Sequence, residues 1–165
     1  VCTVIDRVTP ARAEVVAETA KFGETDLLCY RVEAPRELAK RQIAAWQPLL
    51  EWARSKYDAK LATTVGVMAI DQDPAALARL RQAVEVENDF TLTGLHIATS
   101  ITGSLIIGLA LMEGEVDAER AWAVSHIEEH WQLERWGEDK ELSGRLEALR
   151  RELAQAQDFI TLVRV

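Results

Sequence analysis

The chain has 165 residues, of which 48% are hydrophobic and 28% charged. This is a globular mixture, which excludes a disordered or fibrous protein. The net charge is −8, and residues 113–141 hold ten acidic side chains against three basic ones. Such a field repels phosphate backbones, so we exclude nucleic acid as a partner and expect a basic protein surface instead.

The length fits a single domain spanning residues 1–165, without internal repeats or flexible linkers. Two cysteines, Cys2 and Cys29, are too few for a disulfide framework and indicate reduced thiols in an intracellular protein. The chain begins at Val1 without a secretory signal pattern. We therefore expect a trimmed piece whose upstream sequence is missing.

The first predicted helix begins at Thr9 and Pro10, which have the pattern of an N-cap and a first helical position, and ends near Gly23. Residues 26–32 are apolar without periodicity, which leaves a short buried strand or an ordered loop. A second helix is predicted from Pro35, and Pro48 should kink or divide it. Its apolar stripe follows steps of four and three: Ala39, Ile43, Trp46, Leu50, Ala53, Tyr57.

Residues 61–68 contain enough β-branched side chains for a short strand. Asp73 and Pro74 predict the start of a third helix. The last segment has the most regular pattern, which predicts one helix packed lengthwise on its own domain, or alternatively a coiled-coil seam. Its stripe is Leu142, Leu146, Leu149, Leu153, Ala156, Ile160, Val163.

A run without charged residues covers residues 90–112. It is long enough to span a bilayer, but its threonines, serines, glycines and lack of basic flanks favour a core helix without membrane insertion. Ser100, Ser104 and Gly108 fall at intervals of four, a small-residue groove that lets another helix approach closely.

His126 and His130, with Glu129 beside the second histidine, fit the H-x-x-E-H pattern of some zinc proteases. A zinc-dependent hydrolase using His126, Glu129 and His130 is therefore the alternative function. A third-ligand motif is missing from the sequence, and two solvated histidines on an acidic surface explain the pattern more simply. We expect no enzyme activity, metal or cofactor.

Residues 121–141 combine aromatic and acidic side chains, and helical spacing places Val124, Ile127 and Trp131 on one face. Trp122, Leu133 and Trp136 lie on roughly the opposite face. A helix that is apolar on two sides is either sandwiched in the core or keeps one side for a partner. Tryptophan beside carboxylates is typical of a docking site for a basic protein.

Four blocks of this sequence resemble one protein family. They are FGETDLLCYR at 22–31, WQPLLEW at 46–52, LTGLH at 92–96 with TGS at 102–104, and WQLERWGED at 131–139. In their order they are similar to the bacterial and mitochondrial assembly chaperone for the α subunit of the F-type ATP synthase. They extend over most of the chain.

The resemblance implies a mainly α fold, a helical bundle with at most one or two short strands. This bundle would be the C-terminal domain of a two-domain α+β chaperone whose β-rich N-terminal domain is absent here. It implies a monomer that binds unassembled α subunit and prevents its aggregation until the β subunit joins. The expected location is the bacterial cytoplasm, or the mitochondrial matrix in a eukaryote. The partner-binding residues implied are Glu128, Glu129, Trp136, Glu138 and Asp139.

Overall fold

The computed structural model describes residues 11–164. Within that range it forms eight α-helices and one small parallel sheet. The helices are α1 (Arg12–Lys21), α2 (Arg36–Tyr57), α3 (Pro74–Glu85), α4 (Asp89–Thr102), α5 (Leu105–Glu113), α6 (Ala118–Ser125), α7 (Ile127–Trp136) and α8 (Lys140–Val163). The strands are β1 (Tyr30–Arg31) and β2 (Thr64–Val65). The mainly α bundle predicted from the sequence is confirmed.

Helices α4 and α5 form the centre of the bundle. Every residue from Leu105 to Met112 is buried, so α5 is apolar on all sides, as a fully enclosed helix must be. Gly108 lets α4 approach closely, because a Cβ there would lie 2.3 Å from the Thr99 hydroxyl oxygen. Gly94 does the same on the other side of α4, where a Cβ would lie 2.5 Å from Cγ1 of Ile160 in α8.

The charge-free run at residues 90–112 is therefore a core segment, as expected, but it forms two helices. Gly103 ends α4 with φ +70°, a left-handed conformation that favours glycine. Ser104 begins α5 by accepting a hydrogen bond from the Ile107 N–H. The prediction that Ser100, Ser104 and Gly108 form one groove is wrong, because the chain turns between Ser100 and Ser104. In residues 11–164 no helix has both the length and the apolar character needed to cross a bilayer.

A buried carboxylate joins the turn before β1 to the start of α5. Asp26 is fully buried and accepts hydrogen bonds from the Ser104 hydroxyl at 2.6 Å, the Ile106 N–H at 3.0 Å and the Leu28 N–H at 3.1 Å. Burial raises the pKa of this carboxyl from 3.8 to about 6, and those hydrogen bonds oppose the rise. The segment from 26 to 32 thus forms a 3-10 turn followed by β1. Of the two predicted alternatives, a short strand and an ordered loop, the strand is present.

Helix α2 runs unbroken past Pro48, so the expected division is wrong. Its buried face departs from the predicted stripe at Ile43, which is 51% exposed while Gln42 is buried; Leu50 and Ala53 are buried as predicted. The Gln42 side-chain oxygen accepts the Val32 N–H at 2.9 Å, which explains why an amide occupies an inward position. Trp46 is inward as predicted, and its indole N–H donates to the Val124 carbonyl at 2.6 Å.

The predicted start of α3 and the predicted end of α1 agree with the structure. Asp73 caps α3 through the Ala75 N–H, with Pro74 at the first position. Helix α1 ends at Lys21, close to the predicted Gly23, whereas Thr9, Pro10 and Cys2 lie outside the described residues. Cys29 is buried and free.

Helix α8 lies along α4 and α6, so the prediction that it packs on its own domain is confirmed. The deepest side chains of its stripe, Leu153 and Ile160, are in its second half, and those of its first half are only half buried. Arg164, just past its end, donates to Glu87 at 3.1 Å and to Glu113 at 2.5 Å. This fastens the C-terminal end of α8 to the loop before α4 and to the end of α5.

Candidate protein-binding site

The aromatic and acidic segment does not form the single helix expected for residues 121–141. The chain bends at His126, whose φ of −120° and ψ of 33° separate α6 from α7. A second break follows Trp136, where Gly137 has φ +85°. The three tryptophans of the segment consequently have different environments.

Trp122 and Trp131 belong to the core, while Trp136 is 86% exposed. Trp122 stacks on His126, with 3.7 Å between ring centroids. Trp131 holds α7 against α2, and the guanidinium carbons of Arg41 and Arg135 lie 4.9 and 4.7 Å from the centroid of its ring. Both interpretations of the segment, core packing and an exposed indole, are thus realised by different tryptophans.

The two histidines do not form a metal site. His126 is buried rather than solvated, contrary to expectation, and its Nδ1 lies 2.7 Å from the Ser125 hydroxyl. Burial lowers the pKa of His126 to about 4, so it is neutral at physiological pH. Within residues 11–164, no three His, Cys, Asp or Glu side chains converge as a metal ion requires. Neither the ligand set nor the geometry of the zinc-hydrolase alternative is present in this range.

The acidic side chains implied as partner-binding lie on α7 and at the turn after it. In the part of the chain that is described, the carboxylates of Glu128, Glu129 and Glu138 make no hydrogen bond or ion pair. Asp139 differs, because its carboxylate caps α8 by accepting the N–H groups of Glu141 and Leu142 at 3.0 and 3.2 Å. The side chains of four of the five residues thus have no polar partner among residues 11–164, whereas Asp139 caps α8.

A groove lies beside Trp136, between α7 and the first turn of α2. We call it the Trp136 groove; it has a volume of about 460 Å³. It is lined by Val32, Ala34, Pro35, Leu38, Glu128, Trp131, Gln132, Arg135 and Trp136.

Sequence reasoning placed only Glu128 and Trp136 of this lining in the site. The contribution of the α2 side was missed, since Leu38 stands just outside the predicted stripe of that helix. The only available signal was an apolar residue at the turn after Pro35 that the stripe did not use.

Comparison with known proteins shows that the fold is shared with chaperones. The crystal structure of Atp12 from Paracoccus denitrificans superposes with a TM-score of 0.96 at 39% identity, covering 98% of this chain and 70% of that one. The Atu1473 protein of Agrobacterium tumefaciens gives a TM-score of 0.87 at 37% identity, covering 96% of this chain and 59% of that one. These matches define the class of the protein, a helical chaperone domain.

The family model described as ATP12 chaperone protein matches residues 1–54. The mitochondrial protein atp12 of Schizosaccharomyces pombe is 28% identical over 123 residues, which are 71% of this chain and 42% of that protein. The chain therefore spans less than half the length of this curated relative. Taken with the Paracoccus structure, the chain belongs to the ATP12 chaperone family, and the resemblance inferred from its sequence blocks is confirmed.

Proposed function

We propose that this chain is a chaperone of ATP synthase assembly that binds the unassembled α subunit of the F-type ATP synthase. It would keep that subunit from aggregating until the β subunit joins. The site proposed for this contact comprises Glu128, Glu129, Trp136, Glu138 and Asp139. The compartment follows from the client: the cytoplasm in a bacterium, or the mitochondrial matrix in a eukaryote.

The observation that supports the proposal most directly is the exposure of Trp136. An indole that is 86% exposed leaves a large apolar area in water, which favours burial against a partner. Tryptophan is also enriched among the few residues that dominate the free energy of protein binding. In a chain of a chaperone family, the most economical partner for this side chain is the client.

The unpaired carboxylates around Trp136 determine which client surfaces are accepted. Because Glu128, Glu129 and Glu138 have no basic partner within residues 11–164, they attract a basic surface and repel an acidic one. Charges at the rim of an interface mainly accelerate association, and they leave dissociation largely unchanged. That combination suits a chaperone, which must capture an aggregating subunit quickly and release it afterwards.

No catalysis is needed for this function. A protein that binds the exposed interface of a subunit lowers the free concentration of the aggregating species by mass action. The α subunit would then be released when the β subunit competes for the same surface.

A pull-down with separately purified α and β subunits tests the proposal. At low salt the immobilised chain should retain the α subunit and not the β subunit. Aggregation of free α subunit, followed by light scattering, should be suppressed at a one-to-one ratio. Failure to retain the α subunit at low salt would refute the proposed function.

A further inference from the structure

The Trp136 groove has an apolar base and an uneven distribution of charge. The buried side chain of Leu38 forms part of its base, and Pro35 and Trp131 add further apolar surface. Its volume of about 460 Å³ lies within the roughly 300–1,000 Å³ of clefts that enclose small ligands. One or two large side chains fit a space of this size.

The wall formed by Trp136 indicates a polypeptide rather than a small molecule. A small ligand in the groove would contact only the inner side of an indole that is 86% exposed. A polypeptide segment lying across the groove would insert a side chain and cover the outer side of the indole with its own backbone. Only the second arrangement buries the whole side chain, and buried area is the source of the binding free energy.

The charges of the groove specify the chemistry of that segment. Of the two basic groups near the groove, Arg41 pairs with Glu134 at 3.0 Å, whereas Arg135 has no carboxylate partner within the described range. The carboxylate of Glu128, which lines the groove beside Arg135, also has no ion pair in that range. Together with the two other unpaired glutamates of the proposed site, the free carboxylates outnumber Arg135 three to one, so a cation is the complement that this surface lacks.

We propose that the Trp136 groove is the docking site for an apolar-and-basic segment of the client. The segment inserts a large aliphatic or aromatic side chain between Trp136 and Leu38. Its neighbouring Lys or Arg pairs with Glu128. This inference rests on the proposed function for the identity of the client, whereas the chemistry of the segment rests on the groove alone.

Photocrosslinking tests the position of the contact. The photoreactive residue p-benzoylphenylalanine replaces Trp136 in one sample and Leu162 in the control, since Leu162 is similarly exposed (82%) at the far end of α8. Position 136 should crosslink to α subunit, and the attached peptide should carry a large apolar residue within a helical turn of a Lys or Arg. Equal crosslinking from position 162, an acidic attached peptide, or crosslinking of the chain to a second copy of itself would overturn the proposal.

Binding measurements with Trp136→Ala test the energetic weight of the groove. The variant should bind α subunit roughly thirty-fold more weakly, the size of effect expected for a dominant interface residue. Leu162→Ala should bind like the unmodified chain. Because Trp136 is exposed, its truncation should leave the circular dichroism spectrum unchanged. Unchanged affinity in Trp136→Ala would overturn the proposal.

A selection that does not involve the client separates this inference from the proposed function. Random peptides displayed on phage are selected on the unmodified chain and counter-selected on Trp136→Ala. Enriched sequences should combine a large apolar residue with Lys or Arg, and Glu128→Gln should weaken their binding. If such peptides are enriched while α subunit does not bind, the function fails and the groove chemistry stands. Acidic sequences, or enrichment that does not depend on Trp136, overturn the groove chemistry itself.

Discussion

The imidazole of His126 lies flat against the indole of Trp122, with the ring planes 18° apart and the centroids separated by 3.7 Å. This stack lies at the bend between α6 and α7, the helix that carries Trp136 at its last position. Burial of His126 affects stability, because a positive charge on its ring is unfavourable inside the packed bend.

His126 should make the protein less stable in mild acid. Its pKa is lowered from 6.5 to about 4 in the folded chain, so between these pH values the unfolded chain binds a proton that the folded chain does not. The free energy of unfolding should fall as the pH drops from 6.5 toward 4, by at most about 1.4 kcal/mol per pH unit from this group. Urea unfolding of His126→Gln across this range should lack that contribution. His130→Gln is the control and should retain it; equal profiles for His126→Gln and the unmodified chain would contradict the assignment.

Asp26 should act in the opposite direction. Its folded pKa is raised from 3.8 to about 6, so its contribution to stability is present below pH 3.8 and is lost as the pH rises through 6. The stability difference between the unmodified chain and Asp26→Asn should shrink as the pH increases from 4 to 6 and stay constant above. Paired urea titrations measure this difference. If the difference widens with pH, burial does not disfavour the ionised carboxylate of Asp26.

Ser104 should matter far more than Ser100, although the two are one helical turn apart in sequence. The Ser104 hydroxyl donates to buried Asp26 at 2.6 Å and accepts from the Ile107 N–H at 3.1 Å. Ser104→Ala should therefore lower the free energy of unfolding by roughly 2 kcal/mol, through the loss of a buried hydrogen bond and a helix cap. Ser100 is exposed in α4, so Ser100→Ala should change it by less than about 0.5 kcal/mol. Equal effects would mean that the Asp26 contact carries no weight.

Two glycines in helices should respond to alanine with opposite signs. In Gly94→Ala the new Cβ would lie 2.5 Å from Ile160, so α4 and α8 must separate, at a cost of roughly 1–3 kcal/mol. Gly144 in α8 has open space around it, so Gly144→Ala should stabilise by about 0.5–1 kcal/mol through helix propensity. Thermal and urea unfolding report both changes. Stabilisation by Gly94→Ala would show that this helix contact is looser than described.

Charge reversal should show which acids of the proposed site steer the client. Glu128→Lys with Glu129→Lys should slow association with α subunit, and the remaining rate should depend less on salt, because steering charges have been removed. Stopped-flow binding at several salt concentrations gives both quantities.

Glu138→Lys is the companion variant. Glu138 does not cap a helix, and its reversal should also slow association. Asp139→Asn keeps a capping side chain for α8 and should preserve stability. If reversal at Glu128 and Glu129 leaves the association rate unaltered, these acids do not face the client.

The regular elements were predictable because their periodicity is local. Helix α8 follows steps of four and three over its whole length, and Asp73 with Pro74 marks the start of α3 in sequence. The breaks were harder to predict. Gly103 needed its left-handed φ to be recognised inside an otherwise continuous apolar run, and His126 ends α6 without any glycine or proline signal.

Side-chain environments depended on contacts distant in sequence. Gln42 is buried because it satisfies the N–H of Val32, a need that no helical pattern displays. The sequence placed Trp122 and Trp136 on the same face, yet one is enclosed and the other exposed, since the chain bends between them. The periodicity left open which indole is exposed; the family resemblance pointed to Trp136 as a partner-binding residue, and the tertiary structure shows that its side chain is exposed.

The uneven attachment of α8 implies an order of local opening. Arg164 anchors its last turn to Glu87 and Glu113, whereas its first turns, next to Trp136, are only half buried. Amide protons should thus exchange with solvent fastest near Lys140 and slowest beyond Leu153. A client bound at α7 would contact the end of α8 that opens most easily. Slower amide exchange near Lys140 would therefore report client binding.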